Sequence, residues 1–145
     1  MDGYESWLAD FQRRLNLHDK AVEALARDLA SRSGWRVEAC GAPGFPVPDQ
    51  GRGRAPDVVC HRAGNSHPLC LEVELPETLV RKDTVQRLRG LTRTKGFDTR
   101  VVLVGAPDEH ERQIKDASRL LRRAGIDLPV AALAPDEDTL TGADW

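Results

Sequence analysis

Residues 69–75 constrain the fold more than any other stretch of this chain. There Leu69, Leu71, Val73 and Leu75 alternate with Cys70, Glu72 and Glu74. A period of two describes a strand with one apolar face, whereas helical spacing would scatter the four apolar side chains around the axis. A second strand precedes it, a short β-branched run containing Val58 and Val59 that starts beside Asp57. The link between the two contains Gly64, Asn65 and Ser66, which suits a hairpin turn. In an antiparallel pair with a suitable register, Asp57, Glu72 and Glu74 would share one face and the four apolar residues would point the other way, into a core. Clustered carboxylates repel one another and resist desolvation, so such a cluster calls for a cation.

The rest of the composition bounds the setting. A chain of 145 residues, 40% apolar, is long enough for one proper core. Its formal net charge of −2 argues against a basic coat but leaves room for a local basic patch. No apolar run approaches the roughly 18 residues of a membrane span, and the N-terminus lacks a basic-then-apolar signal. An odd number of cysteines, Cys40, Cys60 and Cys70, makes no disulfide framework, so a reduced, cytoplasmic protein is expected.

Helical spacing of Tyr4, Trp7, Leu8, Phe11 and Leu15 predicts a first helix over 2–16. That stripe either packs back on its own domain or meets a second copy or a protein partner. Asn16 or Asp19 can cap a second helix with Val22, Leu25, Ala26 and Leu29 inward, stopping at Gly34. A strand over 35–40 follows. Residues 41–55 are too rich in Gly and Pro for a regular element, and Arg52 and Arg54 make this long loop mildly basic. After the hairpin, Pro76 and Glu77 open a helix reaching about residue 94. Residues 77–100 hold seven basic and three acidic side chains, and Lys82, Gln86, Arg89 and Arg93 share one face of such a helix. That face is either simply solvated or makes phosphate contacts. A near-continuous apolar run over 99–105 reads as a strand buried on both sides of a parallel sheet. A helix over 108–124 and a strand over 128–133 complete the α/β fold. We therefore expect three parts: a helical extension over 1–16, a domain over 17–135 and an acidic tail over 136–145, frayed or lying on a surface.

This order of elements, with Pro56 and Asp57 on the second strand and Glu72-Val73-Glu74 on the third after fourteen intervening residues, resembles the PD-(D/E)XK nuclease superfamily. The resemblance spans about residues 19–133 and includes Glu23, placed like the first-helix acid of many members. It implies the restriction endonuclease-like αβββαβαβ core: a central mixed sheet flanked by helices, with an N-terminal helix added. It also implies a metal-dependent nuclease acting on nucleic acid, DNA in the first instance. Asp57 and Glu72 would hold Mg²⁺ or Mn²⁺, completed by Glu23. Arg54, Gln86, Arg89 and Arg93 would contact the nucleic acid, and a homodimer or a targeting partner would bring the site to its substrate.

One position departs from the pattern. Where the superfamily usually has Lys, this chain has Glu74. In an active enzyme Glu74 would serve as base or second-metal ligand, or Lys82 would reach back from the next helix. Alternatively the centre has decayed, leaving a catalytically silent module that binds nucleic acid or protein. A rival reading is a tetrahedral zinc site at Cys60, His61, His67 and Cys70, disfavoured because adjacent strand residues point to opposite faces and strand cysteines are more often small core hydrophobes.

Overall fold

The computed structural model describes residues 2–47, 56–93, 96 and 98–145, so Arg54 and most of the basic loop lie outside the described residues. Its centre is a six-stranded mixed sheet in sequential order: β1 (Trp35–Cys40), β2 (Val58–Arg62), β3 (Leu69–Glu74), β4 (Asp98–Val104), β5 (Val130–Ala134) and β6 (Thr139–Thr141). β1, β2 and β3 pair antiparallel as hairpin-linked neighbours. β3, β4 and β5 are parallel and β6 returns antiparallel. The parallel steps need crossovers, supplied by α2 (Pro76–Leu79) with α3 (Lys82–Thr92) and by α4 (His110–Arg123). This is the α/β architecture expected from the order of elements, a central mixed sheet flanked by helices.

The sheet divides the core into two layers. On one face α1 (Gly3–Ser31) lays Val22, Leu25, Ala26 and Leu29 against Leu69, Leu71, Val73, Leu75 and Val102. On the other, α3 and α4 bring Leu88, Ala117 and Leu121 onto Val101, Leu103 and Ala132. β4 lies between both layers, and Val101, Val102 and Leu103 are buried, which explains its unbroken apolar run. Fully burying leucines such as Leu25 and Leu29 contributes roughly 1.5–3 kcal/mol each. No helix among the described residues is long and apolar enough to cross a membrane.

Three elements differ from the sequence expectation. The two N-terminal helices are one helix, capped by the Asp2 carboxylate on Glu5 N–H at 2.9 Å. Neither Gly nor Pro interrupts residues 4–31, and a capping residue inside a favourable run does not by itself break it. Gly34, at φ 82°, makes the turn from this helix into β1.

The helix expected from Pro76 instead breaks. α2 lasts four residues, Arg81 is extended (φ −72°, ψ 140°), and α3 restarts at Lys82 with Asp83 in its first turn. The acidic tail also gains structure. Asp138, at φ 50°, closes a turn that pairs β6 with β5, and Trp145 meets Trp35 edge-on at 6.3 Å.

Buried His110 locks the same corner. Its Nε2–H donates to Gly105 O (2.8 Å), and its Nδ1 lies 2.8 Å from Thr141 Oγ1.

Candidate functional site

The β2–β3 hairpin forms in the register that places Asp57 opposite Glu72, since Val58 pairs with Leu71 and Cys60 with Leu69. The apolar alternates of β3 enter the α1 layer, leaving Glu72 and Glu74 on the α3 side. Asp57, Glu72 and Glu74 thus line one open cleft of ≈ 280 Å³. Phe11, Arg14, Leu15 and His18 of α1 wall it on one side, and Thr78, Arg81, Thr84 and Arg87 on the other.

Each carboxylate is held. Asp57 Oδ2 accepts the Val73 N–H at 2.8 Å, taking the part a backbone carbonyl would play in the ladder, and Asp57 Oδ1 lies 3.2 Å from His18 Nε2. Glu72 is 2% exposed, and its Oε2 accepts from Arg87 Nη1 at 2.7 Å. Arg87 Nη2 donates to Glu74 Oε1, so one guanidinium forks both glutamates. The Thr78 hydroxyl sits 2.9 Å from Glu74 Oε2 and 3.0 Å from the Leu75 carbonyl, and accepts the Leu75 N–H at 3.2 Å.

Burial together with the charge of Asp57 pushes the Glu72 carboxyl up to about 7 despite the opposing pull of Arg87. The hydrogen bond to Asp57 raises the His18 imidazole to about 9 against its partial burial, so it is the cationic partner of Asp57 at neutral pH.

The sequence placed the acids of this centre but not its cations. Lys82 is exposed and outside the cleft, because the restart of α3 turns Thr84, Arg87 and Leu88 inward and Lys82 with Gln86 outward. Gln86 and Arg93 are exposed, whereas Arg89 donates to the Ala124 carbonyl at 2.7 Å, capping the end of α4. Glu23 does not reach the centre. Its carboxylate pairs with Arg27 one turn along at 2.5 Å, and the α1 residue that meets Asp57 is His18.

Two signals could have found the missed residues. Asp83 marks a helix start just before it, from which Leu88 fixes the phase of Thr84 and Arg87. Tyr4, Leu8, Phe11, Leu15, His18, Val22, Leu25 and Leu29 recur at alternating steps of four and three, the mark of one continuous helix with His18 on its inner stripe.

The donor chemistry of three carboxylates suits a hard divalent cation, but their arrangement does not fit one. Both oxygens of Asp57 are engaged, and the guanidinium lies across Glu72 and Glu74. Among the described residues no group of three or more His, Cys, Asp or Glu side chains is placed to hold an ion. The cysteines of the rival zinc site are separated too. Cys60 belongs to the α1 layer and Cys70 stands on the Glu72 face, and burial pushes their thiols up to about 12 and about 11.

Fold and site together define an α/β domain, a mixed sheet flanked by helices, with an acidic centre closed by internal cations. No family model matches the sequence, and no curated protein matches it. Among solved structures the chain is similar to an XisH family protein from Nostoc punctiforme PCC 73102, at 11% identity and a TM-score of 0.51 over 84% of this chain and 96% of that one. It also aligns with the SdaI restriction endonuclease, at 16% identity and a TM-score of 0.43 over 86% of this chain and 42% of that one. At 11% identity the likeness to the XisH family protein is one of fold alone.

Proposed function

We propose that this chain is a nucleic-acid-binding protein built on a nuclease fold, with DNA as its first ligand and no hydrolysis at the acidic centre. The observation that carries this reading is the Arg87 fork: the two glutamates that would serve chemistry are engaged by a guanidinium that cannot deprotonate. Binding is supported by charge. Residues 81–123 carry twelve basic and six acidic side chains, and Arg81, Lys82, Arg93, Arg112, Lys115 and Arg119 are exposed. Such side chains neutralise backbone phosphates and supply affinity without sequence information. Under the same reading, the exposed aromatic stripe of α1 is the surface for a second copy or a targeting protein.

A second reading, Mg²⁺- or Mn²⁺-dependent phosphodiester hydrolysis by Asp57, Glu72 and Glu74, is favoured by one observation. These three carboxylates line a single cleft. It requires Arg87 and His18 to release their partners.

One pair of assays separates the readings. Labelled duplex DNA should bind by anisotropy in chelator as well as in Mg²⁺, more weakly as salt rises, while supercoiled plasmid stays intact. Plasmid nicking that Asp57→Ala and Glu72→Ala abolish would replace the first reading by the second. No binding to either DNA or RNA would overturn the proposal.

A further inference from the structure

Five of the six carboxylate oxygens at the centre have a partner supplied by the chain itself. Asp57 is held by the Val73 N–H and His18, Glu72 Oε2 and Glu74 Oε1 by Arg87, and Glu74 Oε2 by the Thr78 hydroxyl. The two charged partners come from opposite walls, His18 from α1 and Arg87 from α3. Their side chains are 31% and 21% exposed, so neither is a fluctuating surface group.

We infer that Arg87 and His18 are resident counter-ions that take the place a divalent cation would occupy among Asp57, Glu72 and Glu74, with Arg87 as the residue that keeps an ion out. This deepens the proposal of a non-hydrolytic binding protein and rests on it.

The physical argument concerns what a buried acid needs. Glu72 and Glu74 lie on one side of a strand, two residues apart and nearly buried, where uncompensated charge is expensive. A forked guanidinium answers both at once, with two N–H donors aimed at two carboxylates. A cation entering the same space must displace that fork and leave the guanidinium without its partners in a half-buried wall. His18 closes the remaining side by holding the Asp57 oxygen that the backbone does not use. The arrangement therefore disagrees with a resident metal and needs none to be stable.

Removing the fork should open the site. Without Arg87 the carboxylates keep their strand positions, fixed by the ladder and by Val73 N–H, but lose the charge between them.

The test is Mn²⁺ and Mg²⁺ titration of the metal-stripped full chain by calorimetry, with Mn²⁺ also followed by electron paramagnetic resonance and no nucleic acid present. Wild type should show no saturable binding at millimolar ion. Arg87→Ala should bind Mn²⁺ saturably, at least tenfold tighter than wild type, and Glu72→Gln in that background should abolish the gain. Circular dichroism checks the fold. If Arg87→Ala does not fold, Arg87→Lys carries the same expectation at smaller size, because a point charge cannot fork two carboxylates. Saturable binding by wild type, or a folded Arg87 variant that binds no tighter, would overturn the inference. Because DNA is absent, these outcomes are separate from a failure of the binding proposal, which is read by anisotropy.

Discussion

The two halves of α1 present the same apolar stripe and meet opposite fates. In the C-terminal half Val22, Leu25 and Leu29 are at most 3% exposed, sealed against the sheet. In the N-terminal half Tyr4, Trp7, Phe11 and Leu15 are 44–68% exposed, with the three rings stacked on one another along the helix. Length explains the difference. Twenty-nine residues make a helix of about 44 Å, while the seven residues of β4 span roughly 23 Å. The excess passes the cleft and runs beside α2, where Arg13 pairs with Glu77 at 3.0 Å. Periodicity thus marks a face that wants cover, and only the size of the neighbouring layer decides how much of it is covered. His18 sits where the two halves meet, and its polar ring on the stripe is what the cleft uses.

Substitutions along the stripe test this division, and the largest effect belongs to the buried half. Leu25→Ala should cost about 2–5 kcal/mol by denaturant unfolding, through lost transfer energy and the cavity left behind. At the junction, His18→Ala should cost about 1 kcal/mol at neutral pH, an ion pair discounted for its exposure.

Its pH dependence has a fixed sign. The folded imidazole titrates above its ordinary 6.5, at about 9. Its contribution is therefore complete below 6.5 and lost as pH rises through 9. Glu72, raised from 4.5 to about 7, behaves likewise over a lower window: folding favours its protonated form, and stability falls as pH rises from 4.5 through 7. Wild-type stability should then decline in two stages between pH 4.5 and 9. Glu72→Gln should remove the lower stage and His18→Ala the upper, as read by unfolding midpoints across the range.

In the exposed half, Asp2→Ala should fray the first turn and cost about 0.5–1 kcal/mol of local helix stability, seen as faster amide exchange there. Trp7→Ala should be smallest, within about 0.5 kcal/mol in dilute protein. A cost for Trp7→Ala that matches Leu25→Ala would break the comparison, because the N-terminal half would then be covered.

The carboxylate centre was legible because strands have a period of two and hairpin pairing is local. Glu72 and Glu74 could only share a face, and the hairpin returns Asp57 beside them in the register that forms. Its cations were not legible. Arg87 was hidden by the break at Val80 and Arg81: a helix continued from Pro76 points Lys82 and Gln86 at the site, and one restarted at Lys82 points Thr84 and Arg87. Arg89 was misplaced by the same reading, and its true partner, the end of α4, lies 35 residues away in sequence. Composition marks the tail over 136–145 as acidic and either frayed or lying on a surface. Its strand depends on an open edge of β5, a fact of the assembled sheet.

By itself the sequence determined the first five strands, the two-layer core and the acidic centre, because each rests on near-neighbour periodicity that burial enforces. Only the tertiary structure decided which charges answer those acids, which half of α1 is covered and where the tail binds. Those choices turn on helix phase and on the relative lengths of packed layers, and a shift of one residue in either redirects every side chain that follows.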